Sequence, residues 1–320
     1  MKRSVFALVV ALGFAFALPA AGQGFPSKPI KMIVPLAAAG TGDTLARAVG
    51  EEMSKELGQP VVIENKPGAG GLVGTEMVAN APADGYTLLA VSPSHVINPA
   101  LYAKKTYDPI RSFEPITVMA NTHQVIVAHS SVPVKDLKEL IAYAKANPGK
   151  LNYGSAGTGS ATHLNMELFR SMAGIDIVHV PYKGSTQARQ DVLAGQVQLA
   201  MDGLLPVQPL IKDGRLRAMG ITSSKRAQSN PEIPIIGEVV SGYASDTWYG
   251  ILVPAGTPKD VIAKLHAAAV KALNAPAVKE RLNKLGAETV GNSPEEFRKL
   301  LETEQKLWAK VVKDSGAKVE

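Results

Sequence analysis

Leu151-Asn152-Tyr153-Gly154-Ser155-Ala156-Gly157-Thr158-Gly159-Ser160 leaves a short apolar stretch, passes through three glycines and runs into Ala161–Ala173. We read Leu151–Tyr153 as a strand, 154–160 as a glycine-rich turn, Ala161–Ala173 as a helix and Ile177–Val180 as the next strand. Strand, glycine turn, helix and strand in that order make a βαβ unit, which places its turn at the end of a sheet. Glycine admits backbone geometries closed to other residues and lets the main chain approach a ligand. The first N–H groups of a helix lack internal partners and carry the positive end of its dipole. The segment is therefore a candidate cradle for a small anion.

Two more turns have the same form. Ala39-Gly40-Thr41-Gly42-Asp43 follows a strand at Ile30–Val34, and a helix follows in which Leu45, Val49, Met53 and Leu57 recur every four residues, stopped by Gly58. Pro67-Gly68-Ala69-Gly70-Gly71 follows a strand at Val61–Glu64 and leads into a helix ending at Ala79. Further strands are read at Tyr86–Val91, Phe113–Met119, Val125–His129, Gln198–Met201, Leu216–Thr222 and Trp248–Val253. Further helices are read at Val134–Ala146 and Thr186–Ala194, and through much of the chain beyond Pro258. This alternation predicts an α/β protein with mainly parallel sheets flanked by helices. The strand pair around residues 113–129 reads as a passage from one lobe into another, with a return near Gly242–Trp248. The expected division is residues 24–123 plus 248–320 in lobe one and 124–247 in lobe two.

The N terminus reads as an address. Met1-Lys2-Arg3 is positively charged, Ser4 to Leu18 is apolar and uncharged, and Pro19-Ala20-Ala21-Gly22 offers small residues. That is the layout of a secretory signal peptide over 1–22, with cleavage expected after Gly22 and a periplasmic product. The apolar run is shorter than the roughly 20 residues of a bilayer span. The chain has no cysteine, which excludes a lipidated export signal, disulfides and thiolate metal sites. With 46% hydrophobic and 19% charged residues it is a globular chain, held by its core alone. The formal net charge of +6 falls by two when Lys2 and Arg3 leave, and the excess is dispersed. No basic run interleaves with aromatics, so nucleic acid is not an expected partner. A monomer is expected.

Enzyme fingerprints fail on inspection. No glycine-rich turn carries the Gly-Lys-Ser/Thr of a phosphate loop, and none completes G-x-G-x-x-G. The position two before Ser155 is Tyr153, so the hydrolase elbow fails. The six histidines lack metal-ligand spacing, and no catalytic residue, metal or cofactor is expected. Candidate ligand contacts are Gly40, Thr41 and Asp43 in the first turn, and Gly70 and Gly71 in the second. Ser92 and Ser94 follow the third strand. Ser155, Gly157, Thr158 and Gly159 belong to the opening segment, with His163 just inside its helix. Tyr182, Lys183 and Asp202 end later strands. For Asp43 an N-cap role is favoured, for Lys183 a solvated one, and for Trp248-Tyr249 packing at the return crossing.

Several ordered stretches carry a family likeness. They include Leu57-Gly58-Gln59-Pro60-Val61-Val62-Ile63-Glu64-Asn65-Lys66-Pro67-Gly68-Ala69-Gly70-Gly71, Ala83-Asp84-Gly85-Tyr86-Thr87-Leu88-Leu89 and Ile97-Asn98-Pro99-Ala100-Leu101-Tyr102. Asn152-Tyr153-Gly154-Ser155-Ala156-Gly157, His179-Val180-Pro181-Tyr182-Lys183-Gly184, Trp248-Tyr249-Gly250 and Pro254-Ala255-Gly256-Thr257-Pro258 continue it. Together they resemble the Bordetella uptake gene family, the periplasmic receptors of tripartite tricarboxylate transporters, over essentially all of the chain after the signal. The resemblance implies a two-lobed Venus-flytrap fold without catalysis. It also implies a small carboxylate held by loop amides and waters, and a membrane permease with large and small subunits, or a sensor kinase, as partner. The chain departs from the family in its first turn. The usual Pro-Phe-Pro-Pro-Gly-Gly-x-Thr/Ser-Asp is here Pro35-Leu36-Ala37-Ala38-Ala39-Gly40-Thr41-Gly42-Asp43, which leaves ligand preference at this turn open between a missing hydroxyl contact at Gly42 and another offered by Thr41. Two other functions stay open: a sensory solute-binding adaptor, and an exported enzyme using the same cleft.

Overall fold

The computed structural model describes residues 24–36, 38, 40–102, 107–227 and 230–315. The signal reading at 1–22 lies outside them, as do Ala37 and Ala39 of the first turn.

The first half supplies β1 (Ile30–Val34), α1 (Thr41–Leu57), β2 (Val61–Asn65), α2 (Leu72–Ala79), β3 (Thr87–Val91), α3 (Ser94–Leu101) and β4 (Phe113–Thr122). The middle supplies β5 (Gln124–His129), α4 (Leu137–Ala146), β6 (Asn152–Ser155), α5 (Ala161–Ala173) and β7 (Val178–Pro181). It continues with α6 (Ser185–Leu193), β8 (Leu199–Gly203), α7 (Leu204–Lys212) and β9 (Leu216–Ile221). The chain closes with β10 (Thr247–Pro254), α8 (Lys259–Asn274), α9 (Pro276–Lys284), β11 (Ala287–Thr289) and α10 (Pro294–Ser315).

These strands form two sheets, ordered β11-β4-β10-β3-β1-β2 and β7-β6-β8-β5-β9. The α/β, two-lobed architecture read from the sequence is what the chain adopts. The expectation of mainly parallel sheets needs correction. Pairing is parallel at β1–β2, β1–β3, β6–β7 and β6–β8, and antiparallel at the other five junctions. The antiparallel partners come from strands that pass between sheets. β4 and β10 run against each other from Phe113↔Pro254 to Thr122↔Thr247. β5 follows β4 after His123 alone and enters the second sheet antiparallel to β8 and β9. A βαβ crossover is what returns a strand parallel to the last one, and β5 follows β4 with no helix between them.

Local rules account for the main helices. In α1 Leu45, Val49, Met53 and Leu57 face inward, and Gly58 ends the helix at φ 66°. In α5 the Ser160 side chain accepts from the His163 N–H, and Gly174 ends the helix at φ 60°. Among the described residues, the buried apolar ones form three clusters. One lies under α1, α8 and α9, and one under α6 and α7. The third runs through Trp248, Trp308, Phe297, Phe169 and Tyr243 and joins the two sheets along α10. Among the described residues no helix is long and apolar enough to cross a membrane.

Candidate functional site

The turns and helix starts after β2, β3 and β6 meet across one cleft between the sheets. They enclose a cavity of about 530 Å³. On the first sheet's side Gly68, Gly70 and Gly71 precede α2, while Ser92, Pro93 and Ser94 lead into α3. On the second sheet's side Thr158, Gly159, Ser160 and Ala161 lead into α5. Pro35, Leu36, Ile97, Leu101, Tyr102 and Tyr249 supply apolar wall. No ionisable group other than tyrosine stands among the described lining residues.

Backbone geometry explains the glycines. Gly70 and Gly71 take φ of 64° and 101°. A Cβ on Gly70 would come within 2.9 Å of the Tyr102 hydroxyl, so only glycine leaves room for that tyrosine. Asn98 donates from Nδ2 to the Gly70 carbonyl at 2.9 Å, tying α3 to this turn. Gly159 takes φ 77°, and its N–H donates to His163 Nδ1 at 3.1 Å. Ala161 and Thr162 are the first residues of α5, so their N–H groups have no intrahelical acceptor.

Of the candidate residues, Gly70, Gly71, Ser92, Ser94, Thr158 and Gly159 line the cavity. Gly40, Thr41 and Asp43 are not among its lining residues: Gly40 and Thr41 are exposed and Asp43 is buried, while the side chains of Leu36 and Tyr249 crowd Gly42. The expected capping role of Asp43 is not what the structure gives. Gly40 is the N-cap of α1, and Asp43 sits inside the first turn. Its buried carboxylate takes both Arg47 Nε (3.0 Å) and Asn65 Nδ2 (2.9 Å). Ser155 is fully buried, with Oγ 2.6 Å from His179 Nε2 and accepting the Gly157 N–H at 3.1 Å. Gly157 takes φ 122°, and a Cβ there would meet the Tyr182 carbonyl at 2.9 Å, so its glycine serves the turn itself. Tyr182 donates to Asp191 at 2.7 Å, and burial with that carboxylate raises its hydroxyl to about 12. Lys183 is exposed. Asp202 is buried against Arg189, which donates at 2.7 and 3.2 Å. Burial raises the Asp202 carboxyl, and Arg189 opposes that rise.

Leu36, Asn98, Tyr102, Thr247 and Tyr249 were not among the candidate contacts, though Asn98, Tyr102, Thr247 and Tyr249 supply polar atoms and Leu36 bulk at the cleft. A signal existed for two of them: Asn98 and Tyr102 sit in the stretch Ile97–Tyr102 that carried part of the family likeness. Trp248 packs at the return crossing as expected, whereas its neighbour Tyr249 turns to the cleft. Alternation along β10 puts adjacent side chains on opposite faces.

Comparison with known proteins finds relatives along most of the chain. The family model described as "Tripartite tricarboxylate transporter family receptor" matches residues 45–317. The protein BugT of Bordetella pertussis is 34% identical over 306 residues, covering 95% of this chain and 94% of its own. A solved R. palustris protein with adipate is 35% identical, with a TM-score of 0.75 over 92% of this chain and 100% of that one. MatC of Rhodopseudomonas palustris with bound malate is 33% identical, with a TM-score of 0.72 over 90% and 100%.

Proposed function

The chain belongs to the tripartite tricarboxylate transporter receptor family, and from that premise we propose that it is a periplasmic receptor that captures a small carboxylate between its lobes and delivers it to a membrane permease. One observation carries the reading. The starts of α2, α3 and α5 converge on a single cavity whose described lining holds no basic side chain. A carboxylate leaving water needs hydrogen-bond donors in return, and helix-start N–H groups provide them together with the positive dipole end. Gly70, Gly71, Ser92, Ser94, Thr158 and Gly159 are the proposed contacts. Leu36, Ile97, Leu101 and Tyr102 suit the hydrocarbon body of an adipate-like acid. The lobes are proposed as 24–123 plus 248–320 and 124–247, closing about the two crossings near His123 and Asp246. Export by residues 1–22 and a permease with large and small subunits belong to the same proposal.

An exported enzyme is the second reading, because Ser155 and His179 stand 2.6 Å apart. Nucleophilic catalysis needs an accessible oxygen, and the Ser155 side chain is fully buried. We therefore favour binding without turnover. A sensory adaptor that binds its solute in the same cleft and signals to a sensor kinase is the remaining alternative.

The test is a thermal-shift series with adipate, malate and the uncharged diamide of adipate. A ligand specific to the native state stabilises by about 2.7 kcal/mol at 100 times its Kd. The carboxylates, and not the diamide, are expected to raise the midpoint, and mass spectrometry should recover them unchanged. An equal shift by the diamide, or no shift by either acid, would defeat the reading.

A further inference from the structure

Beneath the cleft wall formed by Thr158 and Gly159 lies a stack of three rings. Tyr153 and His179 have centroids 4.9 Å apart at 22°, and His179 and His163 have centroids 4.0 Å apart at 19°. Each histidine holds one end of the turn above. His163 Nδ1 accepts the Gly159 N–H at 3.1 Å. His179 Nε2 meets Ser155 Oγ at 2.6 Å, and that oxygen accepts the Gly157 N–H at 3.1 Å. Gly157 and Gly159 both have positive φ, so the turn's shape is set by these two points and not by regular structure. We propose that His163 and His179 are positioning residues that, in their neutral forms, hold the 157–159 turn in its ligand-binding conformation and release it on acidification.

The geometry requires neutrality at one atom. A backbone N–H donates to His163 Nδ1, so that nitrogen must keep its lone pair and the ring proton sits on Nε2. A second proton there would set donor against donor. It would also place a cation at the positive end of α5, stacked on a second imidazole. Burial lowers both rings, His179 to about 4, so both are neutral near pH 7. The surrounding charges do not reverse this. Glu167 favours protonation, but its carboxylate already receives Tyr153 Oη at 2.6 Å and Arg170 at 2.7 Å. Asp202 and Arg189, from β8 and α6, are paired with each other. After β7, Tyr182 is bonded to Asp191 and Lys183 is exposed. On α10, Lys310 pairs with Asp314 on the far side of Glu167 and Arg170.

The proposal rests on the carboxylate-receptor reading for its ligand but not for its loop. The test uses adipate calorimetry near pH 7.5 and near pH 5, and amide exchange of residues 157–160 near pH 7.5 without ligand. His163→Asn keeps an acceptor near Nδ1 without a titrating ring. It should bind within about threefold of the native protein at the higher pH, and should lose the part of the acid weakening that exceeds adipate's own protonation. His163→Leu removes the acceptor. It should bind about tenfold more weakly or worse and exchange faster at 157–160, with circular dichroism unchanged. Native affinity and exchange in His163→Leu, or a native acid profile in His163→Asn, would overturn the proposal. If His163→Leu does not fold, the His163→Asn profile decides. If the native protein binds no adipate, the ligand reading fails separately, and the exchange comparison alone decides for or against the loop role.

Discussion

At the residue scale, the contrast between Gly157 and Lys183 separates turn geometry from charge. Gly157 holds φ 122° with the Tyr182 carbonyl 2.9 Å from any added Cβ. Gly157→Val should therefore cost on the order of 1–3 kcal/mol of stability and weaken carboxylate binding more than tenfold, through a displaced turn. Lys183→Ala removes a solvated charge and should leave the affinity within about twofold. Calorimetric titration of both variants checks the contrast. A larger loss at Lys183 would place a charge-paired site where the backbone cradle is proposed. The sequence pointed to glycine here because of spacing, and glycine is required. It could not say that the neighbour demanding it is a backbone carbonyl from the turn after β7, since that contact spans a helix and a strand.

At the element scale, α5 is fastened to both crossings through one side chain. Asn165 donates from Nδ2 to Gln124 Oε1 at 2.8 Å, just past the outward crossing. Its Oδ1 accepts Ser245 Oγ at 2.6 Å, just before the return crossing. Its main-chain oxygen accepts the Tyr243 hydroxyl at 3.1 Å. A helix whose start lines the cleft is thus bonded to the segments about which the lobes are proposed to close. Asn165→Leu should leave buried partners at Gln124 and Ser245 unpaired, costing about 2–4 kcal/mol. Chemical denaturation measures that cost, and a loss below about 0.5 kcal/mol would show that the contacts carry no weight. The sequence reading found α1, α5 and most strands because their apolar periods and glycine stops are local. It missed α3 and α7, which carry Pro99 and Pro209 inside them, and β11, which has three residues. Such elements are held by the packing around them and not by their own propensity.

At the scale of the whole molecule, the third apolar cluster joins both sheets, and a buried acid sits within it. Glu304 Oε2 accepts Trp248 Nε1 at 2.7 Å and Trp308 Nε1 at 3.3 Å. Burial pushes this carboxyl up to about 7, against the pull of the two indoles. Its folded value exceeds the ordinary 4.5, so its stabilisation is present below about pH 4.5 and is lost as pH rises toward 7. His95 acts in the opposite sense. Burial pushes it down to about 4 from 6.5, so stability is lost as pH falls through that window. The two terms bracket a stability maximum between about pH 5 and 6.5. Glu304→Gln keeps an acceptor for the indoles without a charge. It should gain on the order of 2 kcal/mol near pH 8 and little near pH 5. Thermal melts at the two pH values test this, and equal effects at both would refute it.

The sequence by itself determined the alternation of strands and helices, the three glycine turns and the family, because each is written in short-range pattern or ordered local motif. It also ruled out disulfides and thiolate metal sites, since the chain has no cysteine. Only the tertiary structure decided which turns share a cavity, since Gly70, Ser94 and Gly159 are distant in the chain and meet only once two sheets have formed. It alone turned Ser155, His163, Tyr182 and Asp202 away from the cavity lining and into bonded positions behind it. A strand end brings several side chains near a cleft, and which of them faces the ligand is set by neighbours on other strands competing for the same donors and acceptors.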